Sequence, residues 1–180
     1  MDNDQIGIIR GSIRTIPDYP KKGILFRDIT TLLKDEEAFR KTNELLLSLS
    51  KDFPAFDFVA GIESRGFIFG AVLASALGKG FIPIRKPGKL PAEVNSIDYE
   101  LEYGTDTVEV HVDAIEKGVG YLVLDDLLAT GGTAEASCRL IEKSGGLVSG
   151  CLFVVELLDL SGRKLLRNRV VASIVQFEGE

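Results

Sequence analysis

Apolar and polar positions change period several times along the chain, and each change marks an element. Residues 5–14 read as a short helix. Segment 15–30 (TIPDYPKKGILFRDIT) holds no sustained period, and Pro17, Pro20 and Gly23 exclude a long helix there. From Asp35 to about Ser50 the period is helical. Asp35 suits the N-cap, Glu36 and Glu37 suit the first turn, and Leu45, Leu46 and Leu49 face the core. FDFVAGI (56–62) is a buried-strand run, SRGFIFGAVLASALG (64–78) a helix ending at a glycine, and FIPIR (81–85) a strand. Residues 86–96 (KPGKLPAEVNS) read as an exposed loop, and 97–112 alternate as a β-hairpin around Tyr103-Gly104. YLVL (121–124) is a buried strand, Thr130 to Ser144 a helix, LVSGCLFVVELL (147–158) a long strand, and VVASIVQF (170–177) the last strand.

Strands separated by helices predict one α/β domain over residues 1–180, with a mostly parallel central sheet flanked by helices. In such sheets ligands bind beyond the carboxyl ends of the strands. Composition leaves this picture intact: 45% of residues are apolar and 27% charged, enough for a sizeable core. The net charge of −6 argues against nucleic acid or an anionic membrane as the main partner. It still allows a small polyanion held by backbone amides. No apolar run reaches the ~18 residues of a membrane span. The start Met1-Asp2-Asn3-Asp4 lacks the basic and apolar regions of a signal peptide, so a cytoplasmic protein is expected. Cys138 and Cys151 are too few for a disulfide framework, lack metal-ligand spacing, and read as packing thiols.

The chemistry concentrates in YLVLDDLLATGGT (121–133). Asp125 and Asp126 stand at the carboxyl end of an apolar strand, where adjacent acids are costly unless a cation or hydroxyls pair with them. Ala129-Thr130-Gly131-Gly132-Thr133 then supplies small side chains, two hydroxyls, free amides and a helix N-terminus, all of which favour phosphate. Thr133 after Gly132 excludes a Walker loop, and no GxGxxG follows a strand. Acids beside an anion nest suit a ribose 5-phosphate, with hydroxyls at one end and phosphate at the other.

This string resembles the phosphoribosyl-pyrophosphate signature of the type I phosphoribosyltransferases, and its LLATGGT wording resembles the adenine-specific members. Further segments agree in order along nearly the whole chain: GILFRDIT (23–30) with the adenine pocket, GIESRGFIFG (61–70) with the pyrophosphate loop, and IRKPGKLP (84–91) and YELEYG (99–104) with the mobile loop. The resemblance implies that adenine and phosphoribosyl pyrophosphate give AMP and pyrophosphate. It implies Mg²⁺ held mainly by substrate and water, with no direct protein ligand. It also implies a homodimer, a small base-binding hood over residues 1–34, and a mobile hairpin loop over 86–108. It assigns Asp125, Asp126, Ala129, Thr130, Gly131, Gly132 and Thr133 to the ribose 5-phosphate. Glu63, Ser64, Arg65, Arg85, Lys86 and Tyr103 go to pyrophosphate, with Arg85 reaching a neighbouring subunit's site and a non-proline cis peptide in the Glu63–Arg65 loop. Some relatives carry Asp where Glu63 stands. Phe26 and Leu127 would sandwich the base while backbone groups at Leu25 and Arg27 read its edge. Glu102 is the acid/base residue by the same resemblance, with Glu100 and Asp106 as neighbouring acids.

Two other readings compete. An enzyme for a 6-oxopurine needs a basic side chain near the 6-oxygen, and no segment clearly supplies one. A ligand-sensing regulator on the same fold predicts an added nucleic-acid-binding region or a basic face, which the charge and length disfavour. His111, alternating with Val110 and Val112, reads as an exposed strand residue without a catalytic part.

Overall fold

The computed structural model describes residues 3–100 and 104–179. The chain opens with α1 (Asn3–Ser12), the strand pair β1 (Arg14–Pro17) and β2 (Leu25–Asp28), a short α2 (Thr30–Lys34) and α3 (Glu36–Leu49). Next come β3 (Phe58–Ile62), α4 (Gly66–Leu77), β4 (Gly80–Ile84), and the hairpin strands β5 (Val94–Glu100) and β6 (Thr105–His111). It closes with β7 (Gly120–Leu128), α5 (Gly132–Lys143), β8 (Leu147–Leu157) and β9 (Val171–Phe177).

Five strands form the central sheet in the order β4-β3-β7-β8-β9, and every pairing is parallel. Parallel strands need crossovers that cover both faces, so their sequences read as continuous apolar runs. Two cores result. Leu122, Leu124, Leu152 and Val154 face α1, α3 and α4 on one side, through residues such as Ile9, Leu46 and Phe69. Tyr121, Val123, Cys151 and Phe153 face α5 on the other, with Leu140 and Ile141. Asp35 caps α3 as its sequence suggests, its side chain accepting from the Ala38 amide. Cys138 and Cys151 are free, buried thiols with their sulfurs 3.4 Å apart across the α5–β8 seam.

Three segments depart from the sequence expectation. Segment 15–30 is not merely turns: β1 pairs antiparallel with β2, and the Asp28 carboxylate pins the pair by accepting from Arg14, from the Thr30 amide and from the Thr30 hydroxyl. Long-range pairing thus makes strands where the local prolines and glycine gave no period. β7 runs four residues beyond YLVL, because β8 continues beside it and pairs Asp125 with Phe153 and Leu127 with Val155. Helix α5 accordingly starts at Gly132, two residues later than expected. His111 is half-buried rather than exposed, with Nε2 accepting from the Ala92 amide at 3.4 Å. Among the described residues no helix is long and apolar enough to cross a membrane.

Candidate active site

Parallel topology brings the ends of β3, β4 and β7 to one edge of the sheet, and each ends in polar residues of the sequence motifs. Beyond β7 the chain turns at Gly131 (φ 86°, ψ −2°), a left-handed conformation that an L side chain rarely adopts. This turn aims the first amides of α5 outward. They have no partner within the helix, and among the described residues no side chain caps them. Asp125, Leu127, Leu128 and residues 129–134 line a cavity of about 80 Å³. That is room for a few waters, at ~30 Å³ each, or for one tetrahedral anion.

The loop beneath this nest has its own close fit. A β-carbon on Gly162 would lie 2.1 Å from the Ala129 carbonyl oxygen and 2.9 Å from the Gly131 nitrogen. Gly162 is held there by Arg163, which donates to both oxygens of the buried Glu156 at 2.8 and 2.5 Å. Sequence reasoning passed over this support, because Gly162 is remote in the chain and belongs to no motif. Gly162→Ala is expected to lower the melting temperature by about 2–12 °C, since overpacking costs ~1–3 kcal/mol and each kcal/mol is worth ~2–4 °C in a domain of this size. An unchanged melting curve would show that the nest gives way without cost.

Asp125 and Asp126 occupy successive strand positions, so their side chains leave opposite faces. Asp125 lines the cavity, and its Oδ1 accepts from the Asp126 amide at 2.8 Å. Asp126 is 4% exposed and has the Arg65 Nε 2.9 Å from its Oδ2. Arg65 supplies charge there but no well-aimed hydrogen bond, so this oxygen keeps its accepting capacity among the described residues. Burial pushes both carboxyls up. For Asp125 the neighbouring Asp126 charge adds to the rise, well above the usual range; for Asp126 the Arg65 cation opposes it.

Arg65 also joins the base side to the sugar side. Its guanidinium lies 5.8 Å from the Phe26 ring centroid, while Tyr19 meets the same ring edge-on at 5.2 Å. Leu25 pairs with Pro17 in the β1–β2 ribbon. The Arg27 side chain is turned away: it is buried against the Phe177 ring at 4.3 Å and donates to Thr15 at 2.7 Å. Only the backbone of Arg27 is left to address a base.

The Glu63–Ser64 peptide is cis, and Ser64 is exposed. Glu63 accepts from Arg85 Nε and Nη2 at 3.2 Å each and from the Lys86 amide at 2.8 Å. Burial pushes its carboxyl up, but these bonds overcome that and hold it below the ordinary value. Glu63 therefore braces the loop, and Arg85 turns inward onto its own chain. Lys86 donates to Tyr99 at 2.8 Å and to Asp106, and Tyr99 lies 3.1 Å from the Thr133 hydroxyl. Glu102 and Tyr103 fall outside the described residues. The structure thus gathers residues 125–133, Arg65 with Phe26, and Glu63 with Arg85 and Lys86 into one strand-end region.

A parallel sheet whose carboxyl edge carries paired acids, an amide nest and a braced cationic loop defines a protein that handles a phosphorylated sugar. Residues 28–174 match the model described as the phosphoribosyl transferase domain, and the chain belongs to this family. It is 56% identical over 175 residues to the adenine phosphoribosyltransferase of Chlorobium luteolum, covering 96% of this chain and 99% of that protein. The crystal structure of adenine phosphoribosyltransferase from Thermoanaerobacter pseudethanolicus is similar at a TM-score of 0.92 and 51% identity, with 96% and 99% of the two chains covered. The Saccharomyces cerevisiae enzyme, complexed with an imino-altritol bisphosphate and adenine, is similar at a TM-score of 0.89 and 37% identity, with 97% and 100% covered.

Proposed function

We propose that this chain is a purine-salvage enzyme that transfers the 5-phosphoribosyl group of phosphoribosyl pyrophosphate to adenine, giving AMP and pyrophosphate. The observation that carries the reading is the pairing of two strand-end carboxylates, Asp126 buried with an acceptor oxygen left over and Asp125 half-buried, with an amide nest that has no side-chain cap among the described residues. The acids accept hydrogen bonds from the ribose hydroxyls, and residues 129–133 take the 5-phosphate. Arg65 and Lys86 offer cations to pyrophosphate, on the loop that Ser64 opens and that Glu63 and Arg85 brace; Tyr103 covers it. Phe26 and Leu127 hold the flat base, whose edge meets the backbone at Leu25 and Arg27. In the transfer the bond from the sugar's anomeric carbon to pyrophosphate breaks, its electron pair leaves with pyrophosphate, and a ring nitrogen of adenine bonds to that carbon. The proton lost by adenine goes to Glu102.

Asp125 and Asp126 offer carboxylate oxygens at the strand end, a donor set that fits a cation keeping substrate and water as its other ligands. Mg²⁺ bound with the substrate supplies charge that offsets the negative charge gathering on pyrophosphate. The reading includes a homodimer, supported by the outward apolar positions Ile68 and Val72 of α4, 37% and 38% exposed. It includes a cytoplasmic setting, supported by the two free thiols.

The test mixes purified protein with phosphoribosyl pyrophosphate, Mg²⁺ and each base in turn, and measures nucleotide. AMP from adenine is expected. Turnover of hypoxanthine without adenine would replace the reading with a 6-oxopurine enzyme, and no turnover of any base would favour a sensor.

A further inference from the structure

Tyr99 stands at a junction that the reaction scheme above leaves unassigned. It lies on β5, directly across from Asp106 on β6, and is 8% exposed. Its ring covers the start of α5: a β-carbon on Gly132 would sit 3.5 Å from it. Its hydroxyl oxygen has three neighbours, Lys86 Nζ at 2.8 Å, Asp106 Oδ2 at 3.0 Å and Thr133 Oγ1 at 3.1 Å. Lys86 also donates directly to Asp106.

Donor and acceptor counting fixes the direction of these bonds. A phenol has one proton and two lone pairs; an ammonium only donates, and a carboxylate only accepts. The Tyr99 proton goes to Asp106, because a charged acceptor makes the stronger bond. The Thr133 hydroxyl therefore donates to Tyr99. Lys86 spends two of its three N–H groups on Tyr99 and Asp106, which leaves one for a ligand. One phenol oxygen thus sits between a cation of the pyrophosphate side and a hydroxyl of the 5-phosphate nest, which are at most about 6 Å apart.

We propose that Tyr99 is a positioning residue for the transfer: through its hydroxyl it holds the Lys86 ammonium in place, so that the remaining N–H of Lys86 meets the pyrophosphate end of the sugar donor. The inference rests on the reading of the site as a phosphoribosyl pyrophosphate site. Its physical basis is preorganisation, in which a side chain already held in place loses less freedom when the ligand arrives. The charge state agrees. Burial pushes Lys86 down, but its bonds to Asp106 and Tyr99 more than reverse this, and the ammonium stays protonated.

The experiment uses the full chain with Tyr99→Phe, which keeps the ring over Gly132 and removes only the hydroxyl. The KM for phosphoribosyl pyrophosphate is expected to rise about tenfold, the worth of one hydrogen bond to a charged group, while the KM for adenine stays within about twofold. The double variant Tyr99→Phe/Lys86→Gln is expected to be no worse than Lys86→Gln alone, because Tyr99 acts through Lys86. A donor KM within about twofold of the parent, or single effects that multiply in the double variant, overturns the inference. A parent protein that makes no AMP overturns the reading of the site instead.

Discussion

Asp126→Asn is expected to lower kcat/KM for phosphoribosyl pyrophosphate by about 10²- to 10³-fold while raising the melting temperature at neutral pH. The loss of activity follows from removing a fixed charge and acceptor where the sugar builds positive charge; one such preorganised group is worth ~10²–10³. The gain in stability follows from linkage. Burial raises the folded pKa of Asp126 above its unfolded value, and that of Asp125 further. The folded chain then holds more protons than the unfolded chain, so stability falls as pH rises from the unfolded value, near 3.8, through the folded one. Above the folded value the ionised Asp126 carboxylate is a standing cost. Asparagine removes one charge and relieves Asp125 at the same time, while Arg65, 37% exposed, keeps its water. Thermal unfolding from pH 4 to 8 checks this: the gap between variant and parent should widen with pH, by a few degrees overall. A variant that melts below the parent at pH 8 would show that the Arg65–Asp126 pair is a net stabilising contact.

Glu102→Gln is expected to lower kcat by about 10²-fold and leave the KM for phosphoribosyl pyrophosphate within about twofold, the range of a lost general base. The neighbouring acids are poorer alternatives. Burial pushes the Asp106 carboxyl up, but donation from Lys86, the Thr107 amide and Tyr99 holds it below its ordinary value, so it is committed as an acceptor. Glu100 is exposed at the end of β5. A pH–rate profile of the parent should lose its low-pH limb in the glutamine variant. A kcat that does not change would remove Glu102 from proton transfer and direct attention to Glu100.

What the sequence made legible is whatever rests on local signals. The apolar runs of β3, β7 and β8, the Asp35 cap and the glycine turn after β7 follow from period and chemistry within a few residues. The acids and the nest were readable for the same reason, since a strand end, two carboxylates and small residues are contiguous in the chain. The hood strands were not, because Arg14 and Asp28 pair across a turn whose own residues carry no strand pattern. Tyr99 and Gly162 were invisible for a related reason. Each acts on the nest from more than thirty residues away, and neither residue type alone suggests a contact. Glu63 shows a subtler limit: the motif did not signal that its carboxylate accepts from Arg85 and the Lys86 amide, which lie more than twenty residues away.

The isolated bridge between Arg85 and Glu109 gives the hairpin a mechanical character. Two backbone bonds of 2.9 and 2.8 Å fasten β6 to the end of β4 at that point, and Glu63 clamps the Arg85 side from below. The hairpin is therefore anchored at residue 109, and from there to Gly104 it runs five residues, about 17 Å at ~3.4 Å per residue. Val108 and Tyr99 bury its inner side in the core that α5 closes. Asp106 and Tyr99, near the far end, make a second fastening through Lys86 and Thr133.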